Sequence, residues 1–301
     1  ENYRPVSCVP SVSKVLEGVV EKQLRKFFED NNLLPMNQHG FRRSRSTVTA
    51  LSSVVAGWAK CHEEGKHTGA LLWDLSAAFD TIDVPLLCEK LSIYGVESKT
   101  VGWFRSFLTN REQRILVGGD LADPITSSIG CPQGSLLSPL LFLIYVADME
   151  LWVNDVTING YADDTISSYS STSVDEIIKK LESDADCLLK FMASNFLSAN
   201  TGKTGLMIIR AGAGAGSPPR SVTVGSDVVQ EKASHKILGI VVDNKLAWSE
   251  QAKVVTSSIN QRNGLLKRLS YQLPRKYLPQ IANSIVTSKA RYGLSVYGAI
   301  R

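Results

Sequence analysis

Between residues 11 and 30 the apolar positions Val15, Leu16, Val19, Val20, Leu24, Phe27 and Phe28 recur every three or four residues, the period of one helix face. Pro35 closes that segment. A basic loop, Gly40 to Ser46, separates it from a second helical pattern through Val48, Leu51, Val55 and Trp58. The pattern then changes. Ala70 to Trp73 is a short continuous apolar run, which reads as a buried strand, and it ends on a carboxylate, Asp74. Asp83 and Pro85 suit the first turn of a helix that stops at Gly95. Residues 113–119 and 124–129 read as the arms of a hairpin around Gly118 and Gly119. Val156 to Tyr161 and Thr165 to Tyr169 are two further β-prone runs, joined through Ala162, Asp163 and Asp164. Ser173 and Glu176 form a capping-box signature ahead of a helix through Ile177, Leu181, Leu188 and Met192. Strands are expected at 206–209, 222–224 and 237–242, with a low-complexity loop at 211–216, and helix returns from Trp248 with a break at Pro274.

Composition narrows the classes. With 44% hydrophobic and 21% charged residues over 301 positions, the chain can bury the cores of about two domains. Its longest apolar stretch, Leu136 to Ala147, is interrupted by Ser138 and Pro139 and falls short of the ~20 residues of a membrane span, so it reads as a core helix and no membrane partner is expected. Cys8, Cys61, Cys88, Cys131 and Cys187 are odd in number and contain no C-x-x-C pair, which fits a reducing nuclear or cytoplasmic compartment. The chain starts at Glu1 and reads as a piece of a larger polypeptide.

The candidate chemistry is acidic. Asp74 sits at a strand end and Asp163 and Asp164 at a hairpin bend that can bring both carboxylates to one rim. Three carboxylates gathered together repel unless cations neutralise them, and hard oxygen ligands suit Mg²⁺. Two such ions about 3.5–4 Å apart serve phosphoryl transfer. The plain alternative makes Asp163 and Asp164 a turn signal and Asp74 a helix cap. Other motifs fail: Lys203 and Thr204 look like the end of a phosphate-binding loop, but Leu197 stands where glycine is required. Cys61, His62 and His67 lack a fourth zinc ligand.

Taken in order, residues 2–7, Gln38 to Arg42, Asp74 to Asp80, Trp103 to Gln113, Pro132 to Gly134, Tyr161 to Asp164, Lys203-Thr204 and Leu238-Gly239 with Asp243, Leu246 and Trp248 resemble a reverse transcriptase, specifically the non-LTR, LINE-type, jockey-like branch. The resemblance implies an α+β right-hand polymerase fold: fingers at 1–69, the first palm strand at 70–83, a fingers/palm insertion at 84–129, palm with an antiparallel sheet at 130–243, and a helical thumb at 244–301. It implies an RNA-directed DNA polymerase with RNA template, DNA or RNA primer and dNTPs as partners, two Mg²⁺ ions (with Mn²⁺ as substitute), and an endonuclease outside this chain. By the same resemblance Asp74, Asp163 and Asp164 hold the metals, helped by the Leu75 carbonyl. Phe79 is the steric gate against the ribose 2′-hydroxyl, and Gln133 and Gly134 line the nucleotide pocket. Arg42 and Arg45 grip the triphosphate, and Lys203 protonates pyrophosphate. Leu238 and Gly239 contact nucleic acid. A group II intron-type reverse transcriptase/maturase and a non-catalytic nucleic-acid-binding module of the same fold are the rival readings. The departures are Trp73 beside the first aspartate, Cys131 and Ser138 around the Pro132 turn, and Phe191.

Divided at those boundaries, the net charge of +4 separates into unlike parts. Residues 1–69 carry +3, residues 70–243 carry −8, and residues 244–301, with 10 basic and 1 acidic side chains, carry +9. A basic end with Tyr271, Tyr277 and Tyr292 interleaved is expected to hold a nucleic-acid backbone, with Lys267, Arg268, Arg275 and Lys276 foremost.

Overall fold

The computed structural model describes residues 7–76, 78–212 and 218–298. Residues 2–6 of the first motif and most of the 211–216 loop therefore lie outside the described residues. The first five helices are α1 (Ser11–Asp30), α2 (Thr47–Glu63), α3 (Val84–Ile93), α4 (Ser98–Leu108) and α5 (Ser138–Tyr145). At the centre stands an antiparallel sheet of β1 (His67–Trp73), β2 (Thr157–Tyr161), β3 (Asp164–Ser171) and β4 (Gly205–Ile209), in the order β4-β1-β3-β2. β1 begins at His67, three residues inside the segment assigned to the fingers.

The sheet separates two cores. On one face Leu71 and Trp73 join α3, α4, α5 and the long helix α6 (Val174–Ser194) in the larger core, where Phe28, Phe104, Phe142 and Tyr145 are fully buried. On the other face Ala70 and Ile166 meet Leu51, Val54 and Trp58 of α2 and the hairpin β5 (Ser234–Ile237) and β6 (Ile240–Asp243). The alternation of β1 between the two cores is the period-two rule at work, and it explains why this strand reads as continuously apolar. The ring of Trp73, unusual beside a functional aspartate, is buried in the larger core and donates Nε1–H to Ser167 Oγ at 2.9 Å.

Four local expectations change. The apolar stripe of α1 is helical, but only its C-terminal half is packed; Val15, Leu16 and Val19 are exposed. The run 237–242 is a tight hairpin rather than one strand, because Leu238 and Gly239 both take left-handed φ, +47° and +83°, and reverse the chain. The capping box at α6 is half made: Ser173 accepts from Glu176 N–H at 3.4 Å, while the Glu176 carboxylate turns to Tyr169 and Ser171. The arms expected at 113–119 and 124–129 pair only at Arg111–Gln113 with Ile125–Ser127, with a smaller ladder, Leu116–Val117 with Asp120–Leu121, at the tip.

Beyond the sheet, α7 (Ser249–Leu269) and a broken helical run from Arg275 to Tyr297 form the basic end. Asp243 sets the angle of entry. Its carboxylate accepts from the N–H groups of Lys245, Ala247 and Trp248, which holds Leu246 and Trp248 at positive φ and starts α7 directly. The spacing of Asp243, Leu246 and Trp248 is thus a backbone-capping device.

Candidate active site

Strand register brings the aspartates together. Trp73 pairs with Thr165, so Asp74 follows β1 on the level of Asp164, the first residue of β3. Asp74 continues the face of Ala70 and Leu72, and Asp164 that of Ile166, so both carboxylates point to the α2 side of the sheet. Tyr161 pairs with Asp164 across a two-residue turn, Ala162 and Asp163. Ala162 sits at φ +58°, a left-handed conformation costing a non-glycine residue about 1 kcal/mol. A cavity of about 170 Å³ opens here, lined by Asp74, Asp164, Leu51, Lys203, His235 and Leu238 among others.

The carboxylates feel one another. Burial raises the Asp164 pKa above the usual carboxylate range, and the charges of Asp163 and Asp74 raise it further. Lys203 Nζ stands 3.6 Å from Asp74 Oδ2 and provides the nearest positive charge. Among the described residues no group of three or more His, Cys, Asp and Glu side chains is placed to hold a metal ion. Carboxylate oxygens are hard donors, the kind that suits a divalent cation which keeps waters and shares its shell with phosphate oxygens. Leu75 follows Asp74 in a two-residue ladder with Ser198–Ala199, and Asn200 N–H donates to the Asp74 carbonyl at 2.8 Å.

Phe79 and the Pro132 turn are joined to each other and are not among the residues that line this cavity. The Phe79 ring is half-buried, 4.7 Å from Phe142 and edge-on to Phe41 at 6.0 Å. Its carbonyl accepts from Cys131 N–H at 2.8 Å, which ties Phe79 to the turn. Ser138 Oγ donates to the Pro132 carbonyl, and burial pushes the Cys131 thiol up to about 12, so both unusual residues act as packing and bracing. Gln133 donates its amide N–H to both oxygens of Asp80, and its carbonyl accepts from Ser7 N–H at 2.8 Å. Gly134 holds φ +109°, and a Cβ there would meet the Ser7 carbonyl at 2.9 Å.

Arg42 and Arg45 are both engaged within the protein. Arg42 donates to Glu29 Oε1 at 3.1 Å, to Glu29 Oε2 at 2.5 Å and to the Pro35 carbonyl at 2.7 Å, and its side chain is 9% exposed. Arg45 is directed to the carbonyls of Met36 and Gln38. Both guanidiniums brace the loop instead of reaching the cavity, because buried carbonyls and a carboxylate claim their donors first. The Arg42 hydrogen bond holds the Glu29 carboxyl below its ordinary value of 4.5 against an opposing effect of burial, with Arg42, Arg25 and Arg45 charges assisting. A lowered acid stabilises the fold above its unfolded value and loses that contribution as pH falls through the folded one. Arg42→Met is thus expected to cost about 1–2 kcal/mol in urea unfolding at pH 7, and less as pH falls through the folded Glu29 value. A large rise in dNTP KM with unchanged stability would return Arg42 to the triphosphate.

The basic end divides in the same way. Lys267 and Arg275 line an open groove between α7 and the following helix, and Arg268 and Lys276 are exposed beside them. Tyr271 is 81% exposed, and Lys276 Nζ lies 4.9 Å from the Tyr277 ring centroid. Tyr292 is different: its hydroxyl donates to the Leu238 carbonyl at 2.6 Å and meets Thr47 Oγ1 at 3.0 Å, locking the basic C-terminal end to the Leu238-Gly239 turn and α2. It serves as a joint and is withdrawn from the expected aromatic set.

Two buried acids escaped sequence reading. Glu17 on α1 is 1% exposed and accepts from Ser135 Oγ at 2.6 Å and Leu136 N–H at 2.8 Å, anchoring the Pro132 turn from behind. Asp184 on α6 is fully buried and accepts from the N–H groups of Asn154, Asp155 and Val156 just before β2. Their only signal is an acid at a position of an amphipathic helix that faces the core.

Comparison with known proteins adds to this geometry. The family described as reverse transcriptase (RNA-dependent DNA polymerase) matches residues 1–242. The RNA-directed DNA polymerase from mobile element jockey of Drosophila melanogaster is 27% identical over 312 residues, covering 99% of this chain and 33% of the relative. The probable RNA-directed DNA polymerase from transposon BS of the same organism is 25% identical over 285 residues, covering 92% of this chain and 31% of the relative. The chain thus spans about a third of the length of these relatives. Among solved structures, apo telomerase from Candida tropicalis superimposes with a TM-score of 0.54 at 12% identity, over 78% of this chain and 40% of that one, a likeness of fold alone. No helix among the described residues is long and apolar enough to cross a membrane.

Proposed function

This chain belongs to the reverse transcriptase family, in the non-LTR branch of the jockey-like elements, and from that premise we propose that it extends a primer 3′-hydroxyl with dNTPs on an RNA template. Reverse transcriptases work with divalent metal ions, and two Mg²⁺ ions, with Mn²⁺ as substitute, are the proposed cofactors. The observation that carries the reading is the convergence of Asp74 and Asp164 on one face of the sheet, with Asp163 in the turn between β2 and β3. Bound there, the ions would favour the attacking alkoxide and neutralise charge on the departing pyrophosphate.

The chain's own groups have distinct tasks in this proposal. Asp74, Asp163 and Asp164 offer the oxygen ligands and set their spacing through strand register. Phe79 fills the space beside the sugar, and Gln133 and Gly134 form the floor under the nucleotide. Lys203, 70% exposed and already beside Asp74, is free to swing toward the leaving phosphate and give up a proton. Leu238 and Gly239 present a backbone turn to the primer, held from behind by Tyr292. By the family's habit, the action is in the nucleus.

Extension of oligo(dT) on poly(rA) with Mg²⁺ and dTTP tests the activity, with poly(dA) as the competing template. Templated incorporation on RNA is the expected result; nucleic-acid binding without incorporation would favour the non-catalytic module. The thumb makes a separate prediction. Neutralising Lys267, Arg268, Arg275 and Lys276 together should weaken duplex binding and reduce the slope of log K against log salt by about one per lost phosphate contact. Anisotropy titrations across KCl concentrations measure it, and an unchanged slope would remove these residues from the interface.

A further inference from the structure

β2 is the edge strand of the sheet, and a loop residue from the start of the chain closes that edge beside the aspartates. Gly160 N–H donates to the Asn37 carbonyl at 3.0 Å, and His39 N–H donates to the Gly160 carbonyl at 2.8 Å, so that Gln38 lies parallel to Gly160. Gln38 is 7% exposed. Its Oε1 accepts from Gly40 N–H at 2.8 Å and from Ala162 N–H at 3.1 Å, 124 residues away in sequence. Ala162 is the left-handed residue between Tyr161 and Asp163. The approach is so close that a Cβ on Gly40 would fall 2.2 Å from Ala162 N, so only glycine is accommodated there. The loop is itself braced: Arg45 donates to the Gln38 carbonyl, Arg42 to the Pro35 carbonyl and Arg25 to the Phe41 carbonyl.

We infer that Gln38 is a positioning residue for the catalytic turn: its side-chain oxygen satisfies the buried Ala162 N–H, fixes the left-handed turn, and so sets where Asp163 and Asp164 point. The inference rests on the polymerase reading for its consequence, though the fixing of the turn stands on the geometry alone. An unpartnered N–H at Ala162 would let the turn sample other conformations, and carboxylates that share a cation would lose their common aim. The basic brace on the loop then has a function that phosphate contact does not require: it holds the Gln38 acceptor at a fixed depth.

Gln38→Met keeps length and removes the acceptor; Gln38→Glu keeps an acceptor oxygen. Hydrogen exchange at the Ala162 amide in metal-free protein should accelerate about tenfold or more in Gln38→Met, with Tm changed by only a few degrees. In the same variant kcat should fall about tenfold and the half-saturating Mg²⁺ concentration should rise, while dNTP KM stays within about twofold. Gln38→Glu should recover the amide protection and most of kcat. Should Gln38→Met fail to fold, Gln38→Asn, whose amide is one methylene too short, takes its place in every arm. Wild-type exchange at Ala162 in the acceptor-less variant overturns the inference, as does a kcat loss fully matched by loss of folded protein with unchanged Mg²⁺ dependence. An inactive wild type whose Ala162 amide still depends on Gln38 would instead remove the polymerase reading and leave the positioning intact.

Discussion

Asp163→Asn is expected to lower primer extension on the order of a thousandfold or more while leaving Tm equal to or above that of the wild type. The two effects share one cause. Burial and the charges of Asp163 and Asp74 raise the Asp164 pKa, so without a cation the ionised cluster opposes folding. Replacing one carboxylate by a neutral amide relieves that repulsion and removes a hard ligand from the shell. Function and stability thus pull in opposite directions here, as they do where a site is built to bind charge. Steady-state extension and thermal unfolding of the same preparation measure both. A variant that loses activity together with its cooperative melt would show Asp163 to be structural, since the turn could then not form without its carboxylate.

The second large effect is at Phe79. Phe79→Ala should reduce the preference for dNTPs over rNTPs about a hundredfold, the kinetic worth of relieving a clash of roughly 3 kcal/mol. The ring is suited to the task by its neighbours. Phe142 supports one side and Phe41 approaches edge-on, so the ring cannot swing away from an added hydroxyl without losing packing on both. The same contacts mean that truncation costs the fold about 2 kcal/mol, less than a fully buried phenylalanine would. Phe79→Leu separates the two, because it restores most of the apolar volume while leaving room beside the sugar. Single-nucleotide incorporation of TTP against UTP gives the ratio. A Phe79→Ala enzyme that excludes ribonucleotides as well as the wild type does would take the gate elsewhere in the pocket.

Much of the site is legible in the sequence because its parts are local. Asp74 ends a short apolar run that reads as a buried strand, and Asp163 lies in a turn whose flanking residues are β-prone on both sides. Once the two strands pair in register, Asp74 stands level with Asp164. The failures are of another kind. The 237–242 run misleads because Leu238, unlike Asn or Asp, is not a usual residue for positive φ, and tertiary contact with Tyr292 secures it there. Half of the α1 stripe is exposed because helical period shows that a face exists and is silent on what covers it. Arg42 and Arg45 suit a phosphate by chemistry, and only the position of Glu29, 13 residues earlier, shows that one of them is already engaged. Gln38, Glu17 and Asp184 are single polar residues whose partners lie roughly 30 to 120 residues away, and no periodicity or spacing encodes such a contact.

The central claim is that Asp74, Asp163 and Asp164 make one metal-dependent site for templated addition to a primer. Single-turnover extension of a defined DNA primer on an RNA template of known sequence, offering each dNTP separately with Mg²⁺, tests it most directly. The account predicts addition of the complementary nucleotide alone by the wild type, loss of that addition in EDTA, and none within the same time by Asp74→Asn or Asp163→Asn. Equal addition by wild type and either variant, or addition that ignores the template base, would contradict it.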